Sequence, residues 1–297
     1  MDLIGIIVLV VSFFFLLIVG VPIAYSIGVA GVLTMLVHID SLPALTTYAL
    51  RMASGLDSFA LLAIPFFILA GNIMNSGGIA LRLIDFAKVL VGRLPGGLAV
   101  VNVVANMLFG AISGSAAAAA SAIGSIMTPE MRKAGYDPNF SAAVNISSAT
   151  TGMTIPPSNV LIVYSLASGG VSVSALFMAG YLPGILTGIA IMIVAAFFAA
   201  KAGYTVGERV TLRQGIRCFL RAIPSLMLLV IVIGGILAGW FTATEASAIA
   251  VLYALLLSFF YKELTWKELP GVLLRSAKTT AIVLLLVATC TGLSWIM

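Results

Sequence analysis

Two short stretches of this 297-residue chain combine the residue types that can hold an ion and a small acid without a charged side chain. The first is Gly110-Ala111-Ile112-Ser113-Gly114-Ser115, followed by the run Ala116–Ala120. The second is Gly152-Met153-Thr154-Ile155-Pro156-Pro157-Ser158. In each, one apolar segment stops and another starts. A helix that stops leaves its last carbonyls unpaired at the negative end of its dipole, and a helix that starts offers free amides to an anion. Serine and threonine hydroxyls add oxygen ligands suited to a hard cation such as sodium. Asn145, Ser147, Ser148, Thr150 and Thr151 line the segment leading into the second stretch. Each stretch also has a plainer reading. Ser113-Gly114-Ser115 with its alanines suits a close-packed contact between membrane helices, and Pro156-Pro157 suits a kink. Their occurrence in consecutive elements favours the site.

The elements that carry these stretches follow from composition. The chain is 62% hydrophobic and only 8% charged, with a mean hydropathy of +1.20. Soluble domains run near one-quarter charged, so an ordinary globular protein is excluded. Uncharged blocks at 3–39, 58–81, 94–129, 138–200, 222–244, 246–261 and 279–297 are long enough for spans of about 20 residues. The fold class is therefore an all-α polytopic membrane protein. Basic residues gather between the blocks at Arg82/Lys88/Arg93, Arg132/Lys133, Lys201/Arg209/Arg213/Arg217/Arg221 and Lys262/Lys267/Arg275/Lys278. That is the pattern of loops retained in the cytoplasm, and it implies no nucleic-acid partner. Cys218 and Cys290 do not make a disulfide framework. With one histidine, His38, and no carboxylate in 94–129 or 138–200, the materials for a membrane enzyme are lacking. Glu245, after Thr242-Ala243-Thr244, reads as a helix-cap device before a proton carrier.

Placing every basic cluster on one side sets the topology. With the N-terminus outside, spans run near 3–19 and 22–38, broken at Gly20-Val21-Pro22, and a third near 58–75. Block 94–129 becomes a re-entrant hairpin with helices near 95–111 and 116–128, because a single crossing would put Arg132 and Lys133 outside. Residues 140–165 form a helix broken at 152–158, since two prolines remove two amide donors. A long span lies near 175–200, 201–222 is a cytoplasmic basic loop, and spans near 223–240, 245–261 and 279–297 follow. The order of elements in 1–200 restarts, inverted, in 223–297. Inverted repeats with broken helices mark secondary transporters, with the site between the halves. The repeat offset of about 222 residues would put a second hairpin and a second broken helix beyond Met297, so the chain is read as an inverted-repeat transporter whose second repeat is truncated.

Ser113-Gly114-Ser115-Ala116, Thr128-Pro129-Glu130-Met131, Gly135-Tyr136, Ile155-Pro156-Pro157-Ser158, Phe241-Thr242-Ala243-Thr244-Glu245-Ala246 and Ala63-Ile64-Pro65-Phe66-Phe67 together resemble the large, DctM-like membrane subunit of TRAP transporters, the tripartite ATP-independent periplasmic transporters. The resemblance implies a sodium-coupled, elevator-type importer of a small organic acid (a dicarboxylate, a sialic acid or a sugar acid) in the bacterial inner membrane, with the N-terminus periplasmic. It implies two protein partners, a small four-helix membrane subunit and a periplasmic substrate-binding protein, and no cofactor beyond sodium as the coupling ion. Carried onto this chain, Ser113, Gly114, Ser115, Gly152 and Thr154 belong to a sodium site, with Asn145 as a neighbour. Ser115, Ile155, Pro156, Pro157 and Ser158 shape the adjoining substrate cavity. The chain departs from the family in having Ala243 where a proline is usual and in lacking a second hairpin and a second threonine-proline-proline motif. A non-transporting truncated remnant is the alternative, and a membrane-embedded enzyme a remoter one.

Overall fold

The computed structural model describes residues 2–204 and 212–297. Arg209 of the third basic cluster lies outside them. Among the described residues the regular structure is helical. In chain order the helices are α1 (Leu3–Ile18), α2 (Ile23–Leu36), α3 (Ser41–Leu56), α4 (Ala63–Ser76), preceded by a 3-10 turn at Phe59–Leu62, α5 (Ile79–Val91), α6 (Gly97–Ser113), α7 (Ala116–Lys133), α8 (Pro138–Ala149), α9 (Thr151–Thr154), α10 (Asn159–Ala167), α11 (Val173–Lys201), α12 (Leu212–Leu237), α13 (Ala243–Phe260) and α14 (Leu269–Ile296).

Five of these are long and apolar enough to cross a membrane: Phe59–Ser76, Val173–Lys201, Arg213–Leu237, Ala243–Phe260 and Leu269–Ile296. α1, α2 and α6 are also apolar but shorter. α1 is apolar all round, buries only Gly5 and turns Leu3, Phe14 and Phe15 outward, as a helix solvated by lipid does. The break between α1 and α2 falls at Gly20, whose φ of +90° is open to glycine without strain. Pro22 then stands just ahead of α2.

The described chain divides into two compact units. One comprises the residues up to Leu61 with Ala277–Met297. Its core is Met35, Ala44 and Tyr48, flanked by Val32, Met52 and Ile296, and the Tyr48 hydroxyl donates to the Thr289 carbonyl at 3.2 Å. The other unit, Leu62–Ser276, holds both stretches singled out above. In it α4 packs along α13, and the hairpin α6–α7 packs on α5, α8 and α9. The base of the hairpin is closed by aromatic residues. Tyr136 donates to the Gly96 carbonyl at 2.9 Å and stacks on Tyr204 with ring centroids 4.1 Å apart. The Asp137 amide in turn donates to the Tyr204 hydroxyl at 2.9 Å.

Three boundaries differ from expectation. α12 begins at Leu212, not near 223, so that Arg213, Arg217 and Arg221, four residues apart, ride one helix face. Charge marked this segment as a loop, yet its i, i+4 spacing is helical. α14 likewise starts at Leu269 and absorbs the approach to the last apolar block. The interruption near 152–158 narrows to Ile155–Ser158, because Thr151–Thr154 keeps one helical turn. Ile155 is already extended, as a residue before proline is pushed to be. Glu245 caps α13 as read: the Thr242 hydroxyl accepts from the Glu245 amide, and the Thr242 amide donates to the Glu245 carboxylate at 2.8 Å.

Candidate functional site

The hairpin turns within two residues. Gly114 ends α6 in the left-handed region with φ of +63°, and Ser115 starts α7, its hydroxyl accepting from the Ala118 amide at 3.3 Å. Across from it, Ser158 starts α10 in the same manner, accepting from the Leu161 amide at 3.4 Å, and its own hydroxyl donates to the Met153 carbonyl. The two starts are bonded to each other, for the Asn159 amide donates to the Gly114 carbonyl at 3.2 Å. A Cβ on Gly114 would lie 2.6 Å from the Pro157 carbonyl oxygen. Glycine is needed there on two counts, conformation and space.

One turn deeper the backbones of α6 and α9 touch. A Cβ on Gly110 would sit 2.4 Å from the Gly152 Cα. Ser113 is fully buried, faces Gly71 of α4, and holds its hydroxyl 3.5 Å from the Ser115 carbonyl oxygen. Gly114, Gly152, Ile155, Pro156, Pro157 and Ser158 are buried, while Ser115 and Thr154 are partly exposed. α11 closes the far side of the break, its Gly180 and Gly184 lying against Thr154 and Ile155. Ser113, Gly114 and Ser115 are thus brought together with Gly152, Pro157 and Ser158, from segments about 40 residues apart in sequence.

Asn145 links the hairpin to α8. Its amide donates to the Ala120 carbonyl at 2.9 Å, and its oxygen accepts from Asn106 at 3.1 Å. Asn106 is the hub of a buried cluster. Its side-chain nitrogen lies 2.7 Å from Asn102 Oδ1, 3.1 Å from the Asn102 carbonyl and 2.9 Å from Ser148 Oγ. This cluster ties α6 to α8, and Asn145 extends it to α7. The sequence reading passed over Asn102 and Asn106, although two amides four residues apart on an otherwise apolar helix are the signal of a polar contact inside a bundle. It also passed over Asn159. Its Oδ1 is buried without a hydrogen-bond partner among the described residues, beside the amide that joins the two helix starts.

The chemistry on offer is specific. Two helix starts, at Ser115 and Ser158, bring their positive dipole ends to one place, with the Ala118, Asn159 and Leu161 amides bonded within the protein. The end of α6 at Ser113 brings carbonyls with no following turn to bond. Neither 94–129 nor 138–200 contains Asp, Glu, Lys, Arg or His, so the place is polar through backbone, hydroxyl and amide groups. An oxygen-only donor set with a spare buried acceptor on Asn159 fits a hard monovalent cation.

Comparison with known proteins agrees with this architecture. Residues 10–297 match the family described as the tripartite ATP-independent periplasmic transporter, DctM component. The Salmonella typhimurium protein YgiK is 56% identical over 98% of this chain and 67% of its own length. The C4-dicarboxylate TRAP transporter large permease protein of Rhodobacter capsulatus is 41% identical over 95% of this chain and 67% of its own. The sialic acid TRAP transporter large permease protein of Vibrio cholerae is 39% identical over 95% of this chain and 65% of its own. The chain therefore spans about two thirds of the length of the curated relatives it matches. With nearly its whole length matched and its helices of membrane-spanning character, the chain belongs to the DctM family of large TRAP transporter membrane subunits, a family of permeases and not of enzymes.

Proposed function

We propose that this chain carries the sodium-binding and substrate-facing elements of the first repeat of a sodium-coupled importer of a small organic acid in the bacterial inner membrane. The observation that carries the proposal is the meeting of two helix starts and one helix end in a place with no charged side chain. An incoming carboxylate there is balanced by the positive dipole ends of the helices that start at Ser115 and Ser158 and by a bound cation. A cation held by the carbonyls near Ser113, with Ser113 and Ser115 hydroxyls, Gly152 and Thr154 beside it, makes ion and acid binding mutually dependent. The substrate class is supported by the relatives, named for C4-dicarboxylate and for sialic acid. The words tripartite and periplasmic in the family description support two partners, a small membrane subunit and a periplasmic binding protein. The topology with the N-terminus periplasmic, the hairpin as a re-entrant element and an elevator movement of the inverted repeats complete the reading.

The test is sodium-dependent stabilisation of the purified protein. A ligand that binds only the folded state stabilises by about 2.7 kcal/mol at a hundredfold excess over its dissociation constant. Sodium, and not potassium, is expected to raise the unfolding midpoint, and Ser113→Ala and Ser115→Ala are each expected to shift the sodium midpoint upward. Equal stabilisation by both ions, or an unchanged sodium response in both variants, refutes the assignment.

A further inference from the structure

A cavity of about 500 Å³ lies in the same unit where α4 and α13 end, and it is lined by charges of both signs. Arg82 of α5 is held there by three contacts. Its guanidinium lies 3.5 Å from the Tyr261 ring centroid, donates to the Gly78 carbonyl at 2.8 Å, and stands 3.9 Å from Glu263. Arg221 of α12 is exposed and makes no hydrogen bond or ion pair among the described residues. Asp85 and Glu263 line the same space. The Tyr261 hydroxyl oxygen is buried and has no hydrogen-bond partner among the described residues. Burial, with the Glu130 carboxylate adding to it, holds the Asp85 carboxyl above its usual range against the pull of Lys88, Arg221 and Arg82. The lining thus holds two cations, two anions and one unpaired hydroxyl.

We propose that this cavity binds the headgroup of an aminophospholipid, a phosphodiester bearing a primary ammonium. Arg82 and Arg221 take the phosphate, for which guanidinium is the preferred partner. Asp85 and Glu263 take the ammonium, and Tyr261 supplies the remaining donor. The balance of charge selects the occupant: Glu263 is paired with Arg82 and Asp85 with Lys88, each at 3.9 Å, so a purely anionic headgroup that draws Arg82 away leaves Glu263 without its partner, and a quaternary ammonium could not donate to it. The position selects a lipid over a soluble molecule. Tyr261 and Trp266 mark a span end, where aromatic and basic residues sit at headgroup depth. Leu81 on the cavity wall and Leu220 next to Arg221 are exposed apolar surface for the acyl chains. None of these residues belongs to the ion site, so this inference stands or falls separately from the transport reading.

The test is native mass spectrometry of the purified chain equilibrated with equal amounts of phosphatidylethanolamine, phosphatidylcholine and phosphatidylglycerol. Phosphatidylethanolamine is expected to be retained over both others. Arg221→Gln is expected to lower its retention about fivefold, the worth of one surface cation. Asp85→Asn with Glu263→Gln is expected to erase the preference over phosphatidylglycerol while leaving total lipid retained. Equal retention of the three lipids, or full retention in Arg221→Gln, overturns the proposal. Displacement of the lipid by an equal concentration of soluble O-phosphoethanolamine overturns it also, by assigning the site to a soluble ligand.

Discussion

The approach of α6 to α9 gives the sharpest prediction, because backbone meets backbone there and no side chain can swing aside. A methyl on Gly110 would lie 2.4 Å from the Gly152 Cα, with the Gly152 amide nitrogen at 3.0 Å. Carbon atoms rest near 3.5–4.0 Å, so Gly110→Ala forces the two segments apart by about 1 Å. Overpacking of this kind costs about 1–3 kcal/mol, and the upper end applies when the struck atoms are main chain. Alanine returns about 1 kcal/mol of helix propensity, leaving a net loss of about 2 kcal/mol. The reverse change, Gly152→Ala, places its methyl 2.9 Å from the Gly110 Cα, so it needs a smaller shift and costs less. Gly234, inside α12, has nothing within 4 Å of its would-be methyl, and Gly234→Ala is expected to be neutral or to stabilise by up to about 1 kcal/mol. The assay is reversible denaturant unfolding of the three variants in one detergent. The reasoning fails if Gly110→Ala is as stable as the parent, or if Gly152→Ala is the more damaged of the pair.

Two further expectations rest on hydrogen bonds. Asn106→Leu keeps the volume of the side chain but removes the donor shared by Asn102, Asn145 and Ser148. Interhelical hydrogen bonds in membranes average about 0.6 kcal/mol with a maximum near 1.7, so a loss of about 1–2 kcal/mol in unfolding free energy is expected, and a variant within error of the parent would show that the cluster is inert. Glu268, ahead of α14, accepts from the Thr265 amide at 2.9 Å and the Thr265 hydroxyl at 2.8 Å, and these bonds hold its carboxyl below the usual range. A depressed carboxyl contributes above its unfolded pKa and loses that contribution as pH falls through the folded value. Protection from hydrogen exchange at the start of α14, taken relative to the intrinsic rate at each pH, should therefore fall below the ordinary carboxylate range in the parent but not in Glu268→Gln, and matching profiles refute the cap.

Much of this molecule was legible from order and composition alone. Blocks of apolar residues without charge can be solvated only by lipid or by one another, and in lipid the backbone must bond within each segment, so helices followed without any contact being known. Gly20, Gly114 and Pro156-Pro157 marked the breaks, because backbone conformation and the loss of amide donors are local properties. The capping of α13 by Thr242 and Glu245 was equally local. What stayed hidden depended on distant partners. Arg213, Arg217 and Arg221 were read by charge as a loop, while the helix they ride continues into an apolar span. Asn102 and Asn106 gave no sign of their meeting with Asn145 and Ser148, since nothing in a sequence reports which face of one helix meets which face of another. That the hairpin turn bonds to the start of α10, that Gly110 touches Gly152, and that Arg82, Asp85, Arg221 and Glu263 share one cavity were decided by packing, for these groups come from segments whose proximity only the folded chain creates.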